Sequence, residues 1–239
     1  MKTELVLFDL DDTLIGYEVS APEAWSRAAD LFILENNIKT EKPAIIEKIE
    51  TARKWFWSDP DRFRTGRNNL VKTRREIVIF ALKDFLDIED IELERFADNY
   101  TKIFHDLWYL FDDSIETLEK IKKLNIKLGI VTNGSSENQR GKLKRFDIEK
   151  YFDYFYVEGE LGFGKPDLRV YEYMLQETKI DSKKIIMVGD NLEWDVEPPQ
   201  KLGIFSVWMN SRGLKTEDPN IKPDRTIQKI SAILDSICG

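Results

Sequence analysis

The chain has 239 residues, 42% hydrophobic and 33% charged, with 44 acidic against 36 basic side chains and a net charge of −8. This composition suits a folded, soluble protein and excludes a disordered one. The acidic balance argues against nucleic-acid backbone or anionic membrane as partners. One cysteine, Cys238, rules out an internal disulfide framework, and one histidine, His105, rules out a multi-histidine metal site.

The first predicted element is the apolar run Leu5-Val6-Leu7-Phe8, which reads as a buried parallel strand ending in acids. Only these four apolar residues precede Asp9, too few for a signal-peptide core. No apolar run approaches the roughly 20 residues that span a bilayer. The expected location is cytoplasmic, in keeping with the single cysteine.

From Ser20 to Tyr109 the pattern is helical. Ser20 with Glu23 has the spacing of a capping box, and Pro22 falls in the first turn. Further helices are predicted over 43–57, 71–85 and 91–108, with the polar stretch 58–69 as a loop. Beyond this block the pattern alternates. Helices are predicted over 114–124, 135–146, 167–178 and 226–237, and strands over 126–131, 154–157, 184–188 and 204–208. Such alternation predicts an α/β fold, a Rossmann-like parallel sheet core with helices on both faces. The helical block interrupts it straight after the first strand. The expected division is a core domain from residues 1–16 and 111–239 and an inserted α-helical domain from 17–110.

In open parallel sheets, ligands bind beyond the carboxyl ends of the strands. The first strand ends in Asp9-Leu10-Asp11-Asp12-Thr13, the second in Thr132-Asn133-Gly134, and a later one in Gly189-Asp190-Asn191 with Asp195 close behind. Asp9 and Asp11, two apart on extended chain, are expected to point to one side of the backbone. Clustered carboxylates repel unless a cation lies between them. Their oxygens suit a hard ion such as Mg²⁺, which would also reverse the local field for an anionic substrate. Taken alone, Asp9 and Asp11 fit turn and capping chemistry equally well. Thr132-Asn133, Lys165-Pro166 and Gly189-Asp190-Asn191 following in order favour the site.

These residues resemble the motifs of the haloacid dehalogenase-like phosphatases. Asp9-Leu10-Asp11-Asp12-Thr13-Leu14 is similar to their first motif and Thr132-Asn133-Gly134 to the second. Gly164-Lys165-Pro166-Asp167 is similar to the third, and Gly189-Asp190-Asn191 with Asp195 to the fourth. The helical insert resembles that family's small cap. The resemblance covers essentially the whole chain and implies a Mg²⁺-dependent phosphatase acting on a small phosphorylated metabolite of nucleotide or sugar-phosphate type.

The resemblance implies the following roles. Asp9 is the nucleophile, forming an aspartyl-phosphate, and Asp11 is the general acid and base. Asp9, Asp11 (through its backbone carbonyl) and Asp190 hold the metal. Thr132, Asn133 (through the backbone near it), Gly134 and Lys165 bind the phosphoryl group. Thr13, Asn191 and Asp195 support them, Thr13 by local hydrogen bonds within its turn and Asp195 by orienting Lys165 or metal-bound water. Asp11 favours phosphate chemistry over dehalogenation, because an alkoxide leaving group needs a proton and a halide does not. The sequence departs from the family at Gly164, where many relatives carry a charged residue. It departs again at Val196-Glu197-Pro198-Pro199, where an altered loop is expected.

Two other readings share the scaffold: a phosphomutase, which returns the phosphoryl group to substrate, and a non-catalytic aspartyl-phosphate binding or signalling protein. In the insert, Trp55, Trp57 and Phe63 with Arg62, Arg64 and Arg67 read either as a specificity surface or as aromatic packing beside a solvated basic loop. Trp108 and Tyr109 read as hinge packing and His105 as a helix-surface or hinge residue. The sequence indicates no oligomeric state.

Overall fold

The computed structural model of the chain describes residues 2–67, 69–215 and 218–238, without the side chains of Arg64 and Cys238. Arg64, one of the basic residues singled out in the insert, therefore has a side chain outside the described part. Strand β1 (Leu5–Phe8) and the two-residue β2 (Ile15–Gly16) come first. Helices α1 (Ala21–Glu35), α2 (Lys42–Trp57), α3 (Pro60–Gly66), α4 (Leu70–Leu82) and α5 (Asp90–Asp106) follow. The chain continues through β3 (Tyr109–Leu110), α6 (Ser114–Lys123), β4 (Lys127–Thr132), α7 (Ser136–Arg145), β5 (Tyr154–Val157), α8 (Glu158–Leu161) and α9 (Leu168–Thr178). It ends with β6 (Ile185–Gly189), α10 (Glu197–Lys201), β7 (Phe205–Met209), β8 (Arg225–Ile227) and α11 (Leu234–Cys238). Among the described residues, no helix is long and apolar enough to cross a membrane.

The chain divides into two compact units, Met1–Gly16 with Tyr109–Gly239, and Tyr17–Trp108. The first is built on a six-stranded sheet in the order β5-β4-β1-β6-β7-β8, parallel throughout, which is the α/β class expected. All four residues of β1 are fully buried. A strand covered on both faces has no polar side to present, which is why it reads as an unbroken apolar run. β1 lies between β4 and β6, with Phe8 opposite both Ile130 and Val188. The residues following these three strands thus emerge side by side at one sheet edge. Leu5, Leu7, Val131, Val170, Tyr171, Met174 and Met187 pack beneath it.

The second unit is helical. The buried face of α1 is small along most of its length (Ala21, Ala24, Ala28, Ala29) and large at Trp25 and Phe32. These two rings stack on α5, Trp25 on Tyr100 at 3.5 Å and Phe32 on Phe96 at 4.5 Å. Leu93, Phe96, Ala97, Tyr100 and Phe104 recur at helical spacing and give α5 one continuous buried face.

Four expectations are corrected here. The capping box at Ser20 does not form. Ser20 has helical backbone angles and no side-chain cap, and its hydroxyl donates to the Leu107 carbonyl instead. The predicted 58–69 loop contains α3, started by Asp59, whose carboxylate accepts from the Arg62 N–H. The predicted 226–237 helix is mostly something else: β8 adds a sixth strand to the sheet, and only Leu234–Cys238 is α-helical. Tyr109 and Leu110, read as the end of the insert, pair antiparallel with Gly16 and Ile15.

The aromatic cluster of the insert is packed on itself. Trp55 stacks on Phe80 at 4.4 Å, and the Arg62 guanidinium lies 4.0 Å from the Trp55 ring. Arg62 donates to the carbonyls of Trp55 and Phe56, so much of its hydrogen-bonding capacity goes into α2–α3 folding. Phe63 meets Trp57 edge-on, and Arg67 lies over the Phe63 ring. His105 packs on Trp108 at 4.2 Å in the last turn of α5.

Candidate active site

Asp9 continues the ladder of β1, donating its N–H to the Val188 carbonyl at 2.9 Å. The chain then turns through Asp12, which adopts a left-handed conformation at φ 55°. Asp9 is 7% exposed, Lys165 2% and Asp195 0%. The Lys165 Nζ donates to Asp9 Oδ1 at 2.7 Å and to Asp195 Oδ1 at 2.6 Å. One carboxylate oxygen each from Asp9, Asp190 and Asp195 lies within 4.8 Å of the others. Three acids and one lysine from distant stretches of sequence therefore converge on the central strand's end.

Their electrostatics follow from crowding out of water. Burial, together with repulsion from Asp195 and Asp11, outweighs the pull of Lys165 and pushes the Asp9 carboxyl up from 3.8 to about 7. Burial and the charges of Asp9, Asp195 and Asp12 hold Asp190 well above the usual carboxylate range. Burial works against the charge of Lys165, but Asp195 and Asp9 overcome it and raise its pKa above the ordinary value. A cluster that resists full ionisation by itself, and whose donors are all oxygens, fits a hard divalent cation.

The supporting residues fall into place around this centre. Asn191 starts the turn Leu192–Val196, its Oδ1 accepting from the N–H groups of Glu193 and Trp194. Its own N–H donates to Asp195 Oδ2 at 3.1 Å. Asp195 folds back over the strand end so closely that a Cβ on Gly189 would lie 2.2 Å from its Cγ; only glycine fits there. The altered loop expected at Pro198 and Pro199 is the first turn of α10, with both prolines buried. That position spares a helix the N–H that proline lacks.

The side chain of Asn133 holds the third motif in place. Its Nδ2 donates to the Lys165 carbonyl at 2.6 Å, and its Oδ1 accepts the Lys165 N–H at 2.8 Å. This two-point clasp fixes the backbone from which Lys165 reaches Asp9. It also explains Gly164, because a Cβ there would meet Asn133 Oδ1 at 2.4 Å and Glu158 Cβ at 2.8 Å. Gly164→Ala is accordingly expected to lower stability by about 1–3 kcal/mol. A thermal melt would read this as a reduced Tm, and an unchanged Tm would show slack in the clasp. Gly134, at φ 115°, donates its N–H to Glu158 Oε2.

One further reading is corrected. Thr13 is fully buried, yet its hydroxyl has no hydrogen-bond partner among the described residues, so it does not tie its turn together. The Asp11 carboxylate acts on Asp9 electrostatically but is not among the three acids gathered within 4.8 Å. Its Oδ1 and Oδ2 accept from Lys142 Nζ at 2.7 and 2.6 Å, and Oδ2 also accepts from Gln139 Nε2 at 3.2 Å. Sequence reading missed Gln139 and Lys142, both 3% exposed. The signal available was two polar residues three apart on the helix after the second motif. Nothing in that polar segment marks which face is buried. Thr132, 2% exposed, accepts from Gln139 Nε2 at 2.8 Å, and among the described residues its own hydroxyl hydrogen has no acceptor.

The haloacid dehalogenase-like hydrolase family model matches residues 3–203. The chain belongs to the haloacid dehalogenase-like hydrolases. It is 30% identical over 239 residues to the pyrimidine 5'-nucleotidase YjjG of Escherichia coli (strain K12), covering 100% of this chain and 99% of that one. It is 29% identical to a glyceraldehyde 3-phosphate phosphatase of Methanocaldococcus jannaschii over 53% of this chain, a match spanning only 56% of that relative's length. The HAD-hydrolase YfnB of Bacillus subtilis, solved bound to magnesium, superposes with a TM-score of 0.75 at 21% identity over 99% of both chains.

Proposed function

We propose that the protein is a Mg²⁺-dependent phosphatase of small-molecule phosphate monoesters, working through an aspartyl-phosphate on Asp9. The observation that carries this reading is the ammonium of Lys165 held 2.7 Å from Asp9 and 2.6 Å from Asp195, with Asp190 in the same cluster. Of the two Asp9 oxygens, Lys165 binds Oδ1. An Asp9 oxygen attacks phosphorus, and the bond to the leaving oxygen breaks. Asp11 gives that oxygen its proton, then takes one from the water that cleaves the acyl phosphate. Free phosphate leaves, and Asp9 is restored.

Lys165 offsets charge on the nucleophile and the transferring group, and the free hydrogen of the Thr132 hydroxyl serves a phosphoryl oxygen. Asp9, Asp190 and the backbone carbonyl of Asp11 would hold Mg²⁺, which when bound neutralises the phosphoryl oxygens. The helical unit serves as the cap of this family. The full-length likeness to a pyrimidine nucleotidase favours nucleotides among the substrates, with sugar phosphates next.

A panel of pyrimidine nucleotides and sugar phosphates, assayed for phosphate release with Mg²⁺, tests the reading. Release is expected without any bisphosphorylated activator, which separates hydrolysis from mutase chemistry, and it should stop with EDTA and return with excess Mg²⁺. Activity indifferent to chelation would remove the metal from the scheme. Because Asp9 carries a proton below about pH 7, Mg²⁺ binding must displace it. Apparent affinity for Mg²⁺, measured by calorimetry, should therefore tighten as pH rises through that value.

A further inference from the structure

Helix α7 is one of the most polar segments of the chain, Ser-Glu-Asn-Gln-Arg-Gly-Lys-Leu-Lys-Arg. It nevertheless buries a lysine and a glutamine almost completely, each 3% exposed. Lysine is rarely placed so deep without a partner, because an ammonium removed from water is costly unless it is paired and hydrogen-bonded. Surface packing of α7 would need no such residue, since a methionine or leucine fills the same space. The buried charge of Lys142 meets both oxygens of Asp11, from the other end of the sequence, at 2.7 and 2.6 Å.

Gln139 lies one turn earlier on the same helix face. Its single amide nitrogen approaches Asp11 Oδ2 at 3.2 Å, Thr132 Oγ1 at 2.8 Å and the Asn133 carbonyl. Two hydrogens thus serve three acceptors, so this contact is shared, whereas Lys142 reaches both oxygens of Asp11. The Asp11 side chain keeps 24% of its surface exposed. It is clamped from one side and open on the other.

We propose that Lys142, assisted by Gln139, is a positioning residue for Asp11. It fixes the carboxylate where it can exchange a proton with the leaving oxygen and with water. This inference rests on Asp11 acting as the acid and base of the proposed phosphatase. The turn carrying Asp11 has the left-handed Asp12 beside it, and an unheld aspartate there has several rotamers. A proton-transfer group must sit within about 2.6–3.2 Å of its target, and a displacement of about 1 Å can cost on the order of a hundredfold in rate. Lys142 removes that freedom from outside the reacting centre.

The test compares phenyl phosphate, whose leaving group needs protonation, with 4-nitrophenyl phosphate, whose leaving group needs it far less. Wild type, D11N, K142M, K142R and the double variant K142M/D11N are assayed for kcat and KM on both esters. D11N is expected to lose more kcat on phenyl phosphate than on the nitrophenyl ester. K142M should do the same, with the loss about tenfold greater on phenyl phosphate and KM little changed. K142R should recover most of it by restoring the cation. In the D11N background, K142M should not alter the ratio of the two rates further.

Equal losses on both esters in K142M would overturn the proposal, since they mark a purely structural lysine. So would a change in the ratio that survives in D11N, because Lys142 would then act on something else. D11N with no discrimination between the esters removes the acid–base role of Asp11 and this inference with it. Normal discrimination in D11N beside an indifferent K142M removes the inference alone.

Discussion

Asp9→Asn is expected to reduce phosphate release by on the order of 10⁴-fold or more while leaving the fold intact. The amide is nearly isosteric with the carboxylate, and its oxygen still accepts from Lys165, but it is too weak a nucleophile to displace an alkoxide. The variant has a second signature. The Asp9 carboxyl, pushed from 3.8 to about 7 by burial and by Asp195 and Asp11, is raised relative to the unfolded chain. A raised carboxyl favours the folded state fully below 3.8, and that contribution is lost as pH climbs to about 7. Metal-free wild type should therefore lose stability relative to Asp9→Asn across that interval, and Mg²⁺ should restore the wild type at neutral pH. Denaturant midpoints at several pH values, with and without Mg²⁺, measure this directly. Substantial turnover by Asp9→Asn would remove Asp9 as nucleophile, whatever the stability data show.

Lys165→Met should be damaging in two ways at once. Removing a charge-stabilising donor from a water-poor site costs about 10²–10³ in kcat, and Lys165 is the only lysine within hydrogen-bonding distance of Asp9 among the described residues. The same change leaves the fully buried Asp195 without its cation. Breaking a buried pair by deleting one partner costs about 3–5 kcal/mol, so the Tm should fall alongside activity. The contrast between the two variants is the useful result: Asp9→Asn inactive and stable, Lys165→Met inactive and weakened. A stable Lys165→Met would mean that Asp195 finds another partner, and the site would need to be redrawn around it.

The sheet and the polar groups gathered at its edge could be read from the sequence because each rested on a strong local signal. Leu5-Val6-Leu7-Phe8 has no polar face, so it could only be a central strand, and the polar tips of its neighbours had to emerge beside it. Asp9, Lys165, Asp190 and Asp195 came from that logic and from the motif order, and they converge. Other features depended on long-range partners. Ser20 has cap spacing but bonds Leu107, 87 positions away. Ile227, Ile230, Ile233 and Ile237 mimic a helical stripe, yet the chain gains more by adding Arg225–Ile227 to the open edge of β7. The side chain of Asn133 clasps the backbone of Lys165, 32 positions away, which no local pattern marks. Lys142 looks like any solvated lysine of a basic helix, and only its partner 131 positions away shows otherwise.

The short ribbon of Ile15–Gly16 against Tyr109–Leu110 gives the architecture a modular character. The chain leaves the sheet domain at residue 16 and returns at 109 through paired neighbours, with the Tyr109 ring closed over Gly16. A hairpin turn of about two residues is the usual way to join strands so placed. The ninety-odd residues between them are thus an excursion from a single point. Lengthening, shrinking or exchanging that excursion asks nothing of the strand order on either side.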